Sequence, residues 1–176
     1  MQALSVPTRI NPWRLAAESG RLEGRLALAA LPRLATLNRI DGEVMIALTG
    51  GVDEHGVAFL EGLLSTEIEL ECQRCLGPLR LPLTVEVLLG VVRSEAQAER
   101  LPERYDPLLV ADAEVTVADL VEDELLLALP PIPRHVDLRD CQATGYGVSD
   151  ELALGTPLRQ PFAVLASLLP DLKRST

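Results

Sequence analysis

Aromatic side chains are scarce in this chain, 3% of 176 residues, so Leu, Val and Ala must fill any core. Enough apolar material is present, at 48%, for a core of one domain's size. Lysine is nearly absent: Lys173 is the one Lys among sixteen basic residues. No hydrophobic run approaches the roughly 20 residues of a transmembrane helix, so no membrane span is expected. The opening MQALSVPTRINPWRL lacks the apolar middle of a signal peptide. A cytoplasmic location is therefore expected. Cysteine is limited to three residues. An odd count in such a chain argues against a disulfide framework and leaves free thiols, metal ligands or redox chemistry. The two histidines, His55 and His135, are far apart, and nothing resembles a Ser-His-Asp arrangement. The phosphate-binding Gly loop, HExxH and GxSxG are all missing. Internal repeats and low-complexity tracts are also missing. The residues therefore point away from an enzyme.

Acidic residues outnumber basic ones, and the net charge is −10. The imbalance is local. Residues 1–40 balance at +4, residues 41–130 at −14 and residues 131–176 at zero. An acidic middle repels nucleic acid at long range and attracts basic partners. Direct RNA contact would have to use the arginines Arg9, Arg14, Arg21, Arg25, Arg33, Arg39 and Arg74. The plainest reading of the charge is that it maintains solubility.

Strand patterning dominates the first two thirds. RLEGRLALAA at 21–30 is a candidate opening strand, and Asp41-Gly42 is a turn before a strand over 43–48. Gly50-Gly51 and DEHG at 53–56 form the next turn region, and 57–64 is apolar. Thr66 to Cys72 alternates, with Ile68, Leu70 and Cys72 on one face and Glu67, Glu69 and Glu71 on the other. A second alternating strand carries Leu79, Leu81, Leu83, Val85 and Val87, and Pro82 marks a sheet edge. Residues 93–107 are polar and suit a short helix or a loop. Residues 116–128 read as a helix, with Thr116 and Asp119 forming a variant capping box and Pro130-Pro131 ending it. The Glu122-Asp123-Glu124 run reads as a solvated helix face. Glycines and Pro157 over 142–160 suggest a linker. In 161–176, Pro161 opens a helix whose stripe is Phe162, Leu165, Leu168 and Leu169. That stripe either closes the domain's own core or binds a partner's groove.

These elements predict an α+β fold. It would hold a largely antiparallel sheet, curved or barrel-like, with one main helix and a C-terminal helix. The expected organisation is a domain over 1–141, a linker over 142–160 and a helical tail over 161–176.

Cys72-Gln73-Arg74-Cys75 falls at the tip of the predicted hairpin. With His135 and Cys141 the pair would make a Cys3His set, CxxC followed by HxxxxxC, suited to tetrahedral zinc. Arg74 would favour the charged thiolates. The spacing of the second half lies just outside common zinc patterns. A thiol redox enzyme needs CxxC at a helix start, whereas this pair lies between strands. The third alternative is three plain thiols in a structural turn. The residues alone leave these open.

Four segments in order, ECQRCLGPL, RSEAQAERLPERYDPL, DLVEDELLLALPPIPRH with Cys141 beyond it, and PFAVLASL, resemble the YceD family of large ribosomal RNA subunit accumulation proteins. The resemblance spans about residues 40 to 173 and is loose over 1–40. Cys72, Cys75, His135 and Cys141 fall on the family's Cys-x-x-Cys and His…Cys positions. Gly77 departs from the polar residue of many members, and Leu169-Pro170-Asp171 interrupts the run into the basic end. The resemblance implies a non-enzymatic role in the synthesis, processing or stability of large-subunit, 23S-type rRNA. Together with the acidic middle, it implies a ribosomal or ribosome-assembly protein as partner, held by Glu67, Glu69, Glu71 and the helix acids and anchored by the tail stripe.

Overall fold

The computed structural model describes residues 5–36, 41–111 and 114–143, with side chains described as far as Cys141. Five strands form the main sheet: β2 (Arg21–Ala27), β3 (Glu43–Val52), β4 (Ala58–Glu71), β5 (Pro78–Val92) and β6 (Asp106–Leu109). Their order is β2-β3-β4-β5-β6. The first three pairings are antiparallel, and β6 lies parallel to β5. A two-residue ladder joins β1 (Arg9–Ile10) to β7 (Val115–Thr116). The main helix is α4 (Val117–Ala128). Short helices α1 (Pro12–Ala17), α2 (Pro32–Ala35), α3 (Glu95–Ala98) and α5 (Leu138–Ala143) accompany it.

The α+β class and the antiparallel character are as expected, but the sheet does not close into a barrel. Strand β2 lies at one end of the order and β6 at the other. Closure is unnecessary because helices already cover one face of the sheet. Charged Arg21, Glu23 and Arg25 on β2 suit an edge strand, which meets a single β-bridge from Ser5 at Arg25.

The apolar alternation is what orients the sheet. Val44, Ile46 and Leu48 of β3, Leu60, Leu64, Ile68 and Leu70 of β4, and Val85, Val87 and Leu89 of β5 are buried in one core. Leu64 opposes Val85 and Ile68 opposes Leu81 in the β4–β5 register. Val117, Leu120, Val121 and Leu125 of α4 and Leu28, Leu31 and Leu34 close the core from above. The apolar 57–64 stretch and the alternating 66–72 stretch form one continuous strand. Pro82 pairs only with Glu67 of β4, because β6 joins β5 no earlier than Leu89. It therefore sits on the free side of β5, where a missing N–H costs nothing.

Two local expectations are corrected. Thr116 makes no side-chain cap for α4. It is held in the β1–β7 ladder, and the Val117 N–H donates to the Thr8 carbonyl at 3.0 Å. Glu122 is not on a solvated face: it is 1% exposed. Its carboxylate accepts from the Leu34 N–H at 2.9 Å and from Arg33 Nε at 2.8 Å, which ties α2 to α4. Helix α5 runs through Ala143, two residues into the expected linker. The tail residues Phe162, Leu165, Leu168 and Leu169, and Arg39, lie outside the described residues.

Candidate metal centre

Strand β4 delivers Cys72 inward, two positions beyond Leu70, and the chain reverses at once. Cys72 N–H donates to the Gly77 carbonyl at 2.9 Å, and Leu76 N–H to the Cys72 carbonyl at 2.7 Å. Leu76 takes a left-handed conformation, φ 58°, to complete this tight loop. Both thiols of the CxxC therefore point to one side, and both are buried. The other half arrives from beyond α4. Pro130-Pro131 ends that helix, and the chain crosses to the hairpin tip, where the Gln73 N–H donates to the Pro133 carbonyl at 2.8 Å. His135 follows two residues later. Asp137 Oδ1 accepts from the Arg139 N–H at 2.8 Å just as α5 begins, and this helix carries Cys141 back to the site. Helical rise is only about 1.5 Å per residue, so the long His–Cys gap still closes in space.

The four ligand atoms lie within 4.8 Å of one another. Cys72 Sγ to Cys141 Sγ is 3.9 Å, Cys75 Sγ to His135 Nδ1 is 3.6 Å, and Cys141 Sγ to His135 Nδ1 is 3.5 Å. A zinc tetrahedron with Zn–S of about 2.3 Å and Zn–N of about 2.1 Å has S···S edges of about 3.8 Å and S···N edges of about 3.6 Å. Three of the six edges of the cluster thus already match. His135 Nε2 lies 3.1 Å from the Pro78 carbonyl, which can only accept, so Nε2 carries the proton and the neutral ring turns a lone pair on Nδ1 inward. All four residues expected from the sequence converge here.

The electrostatics suit thiolate chemistry. Burial disfavours the Cys72 thiolate, but N–H groups of His135, Cys75 and Arg74 aimed at its sulfur, with the Cys75 thiol, hold its pKa down at about 5. Burial raises Cys141, opposed by the Arg74 hydrogen bond. Burial works against a charged His135 ring, and hydrogen bonds to Cys72 and Cys75 outweigh it, so its pKa is raised.

Arg74 has a larger part than local sequence suggested. Its Nε donates to Cys141 Sγ at 3.1 Å, and its Nη2 donates to the carbonyls of His135 and Asp137 at 2.9 and 3.1 Å. No sequence signal pairs Arg74 with Cys141, 67 residues later. Beside the cluster, Leu70, Glu71 and Gln73 face Leu126, Leu129, Pro130, Pro131 and Pro133 across a cleft of about 480 Å³.

The candidate partner residues divide into two groups. Glu67 and Glu71 are exposed and Glu69 is half-buried on the outer face of β4, where Arg80 lies 3.9 Å from Glu67 and 3.8 Å from Glu69. Glu71 makes no ion pair among the described residues. The described N-terminal arginines are all engaged: Arg9 with Glu114 at 3.2 Å, Arg14 with Glu18 at 2.8 Å, Arg21 with Glu23 at 3.9 Å, Arg25 with Glu43 at 3.3 Å, and Arg33 with Glu122 and Asp123 at 2.8 and 2.7 Å. No helix among the described residues is long and apolar enough to cross a membrane.

Fold and cluster together define an α+β protein in which a Cys3His set joins a β-hairpin to the segment beyond the main helix. The chain belongs to the YceD family: the description "Large ribosomal RNA subunit accumulation protein YceD" matches residues 60–169. A relative of that name from Haemophilus influenzae is 32% identical over 174 residues, covering 96% of this chain and 98% of its own length. No solved structure matches. The family name ties the chain to accumulation of large-subunit ribosomal RNA.

Proposed function

We propose that the protein is a non-enzymatic ribosome-biogenesis factor that supports the synthesis, processing or stability of 23S-type rRNA by holding a basic ribosomal or assembly protein. The carrying observation is the distribution of paired charge. Every described arginine of the first 40 residues lies within 4 Å of a carboxylate. Exposed pairs of this kind add little stability, but they cancel the charge that would otherwise attract phosphate. Glu67, Glu69 and Glu71 line the outer face of β4 with one arginine between them. Asp119 adds an exposed acid on α4, whereas Glu122 is enclosed and takes no part. Such a surface favours a basic protein over naked RNA. The tail stripe Phe162, Leu165, Leu168 and Leu169 is proposed as the apolar anchor.

Zinc is proposed as the ion of Cys72, Cys75, His135 and Cys141. When bound, it supplies a tetrahedral cross-link between the β4–β5 hairpin and the 130–141 segment, with all four positions filled by protein. Filled coordination suits a structural site, since catalytic zinc keeps a position open.

The test is affinity capture of the tagged chain from cells, followed by mass spectrometry, with and without residues 161–176. Recovery of a basic ribosomal or assembly protein, weakened by the deletion and by Glu67→Gln with Glu71→Gln, is expected. Tight binding of naked rRNA at physiological salt with a steep salt slope, and no captured protein, would favour the direct RNA-binding alternative and end this reading.

A further inference from the structure

We infer that Arg74 is the positioning residue of the metal centre: its guanidinium joins the two halves of the ligand set and cancels the surplus charge on the filled site. The inference rests on the metal reading above. Three features carry it.

The first is reach. Arg74 belongs to the CxxC loop, yet its guanidinium donates to three acceptors of the other half: Cys141 Sγ at 3.1 Å, the His135 carbonyl at 2.9 Å and the Asp137 carbonyl at 3.1 Å. Those acceptors bracket the segment that must place His135 and Cys141. The second is geometry. One planar fork serves a sulfur and two carbonyls at once, which a single-point ammonium cannot do. The third is charge. Three thiolates and a neutral imidazole around a divalent ion leave one negative charge, and buried charge is costly unless compensated. The guanidinium supplies one positive charge in direct contact with a ligand sulfur. Hydrogen bonds of this kind outside the ligand shell commonly change metal affinity by about 10–100-fold.

The experiment uses the full chain, purified wild type alongside Arg74→Met and Arg74→Lys. Zinc affinity is measured by competition with a chromophoric chelator, and each protein is also loaded with cobalt(II). Arg74→Met is expected to weaken zinc binding by about 10–100-fold. Its sulfur-to-cobalt charge-transfer band is expected to move to lower energy, because the Cys141 sulfur loses a hydrogen bond. Arg74→Lys keeps the charge but not the fork, and is expected to lose roughly tenfold. It also carries the comparison if the Met variant fails to fold. A merely structural role would lower thermal stability while leaving the cobalt band in place, and that result overturns the inference. So does zinc affinity in both variants within twofold of wild type. If wild-type protein takes up neither zinc nor cobalt, the metal reading itself fails, and this inference with it.

Discussion

Glu122 lies in the middle of an acidic run, yet its carboxylate is enclosed and serves as the acceptor that ends two donors of α2. Replacing it with Ala leaves the Leu34 N–H buried without a partner and Arg33 with only its exposed pair to Asp123. Glu122→Ala is therefore expected to cost about 2–3 kcal/mol in urea unfolding, and Glu122→Gln clearly less, because the amide oxygen still accepts from Leu34. Asp123, one position on, shares Arg33 through an exposed pair at 2.7 Å, so Asp123→Asn should cost no more than about 1 kcal/mol. Asp53 is a second carboxylate with a structural task. Burial raises its pKa, but the Val57 N–H, Tyr105 hydroxyl, Arg104 guanidinium and His55 N–H outweigh this and hold it at about 2. A folded-state pKa below the unfolded 3.8 means the contribution is fully present above about pH 4 and is lost as pH falls toward 2. Asp53→Asn should therefore be less stable than wild type at pH 6, and the two unfolding curves should converge near pH 2. A gap that persists unchanged at pH 2 would assign the effect to shape rather than charge.

At the scale of elements, α1 packs on the sheet with almost no clearance. A Cβ on Gly50 of β3 would sit 2.4 Å from the Leu15 carbonyl oxygen, a backbone atom that cannot rotate away. Gly50→Ala is expected to displace α1 and cost about 2 kcal/mol. The chain's one tryptophan, Trp13, lies on α1 beneath the Arg93 guanidinium, 5.0 Å from its ring. A shifted Trp13 emission in folded Gly50→Ala protein would report that displacement, and an unchanged spectrum would count against it. Strand alternation made β4, β5 and the hairpin tip legible, because one face meets a core and the other meets water. Helix α4 was legible from its period. The short helices were not: α1, α2 and α5 have four to six residues each, too few for a period to emerge, and tertiary contacts hold them.

For the whole molecule, the proposed metal centre would have a measurable consequence. A bound ion would fasten the 130–141 segment to a hairpin more than 50 residues earlier in the chain. Binding that favours the folded state stabilises it by about 4 kcal/mol at a thousandfold excess over Kd. In a chain of this size that corresponds to about 8–16 °C in Tm. Zinc-loaded protein treated with excess chelator should fall by about that amount in calorimetry, and Cys72→Ser with Cys141→Ser should abolish the difference. An equal Tm with and without chelator would remove the structural role given to zinc. Net charge acts at the same scale: capture of a basic partner should weaken as salt is raised from low to physiological strength, because exposed carboxylates are screened within about 8–10 Å.

The sequence by itself determined the α+β class, the inward face of β4 and β5, the limits of α4 and the four residues able to ligate zinc, because local periodicity and side-chain chemistry carry that information. Only the tertiary structure decided that the sheet stays open, that Glu122 is enclosed, and that Arg74 reaches Cys141. Each of those depends on which segments distant in sequence come to lie together, and no local pattern encodes that.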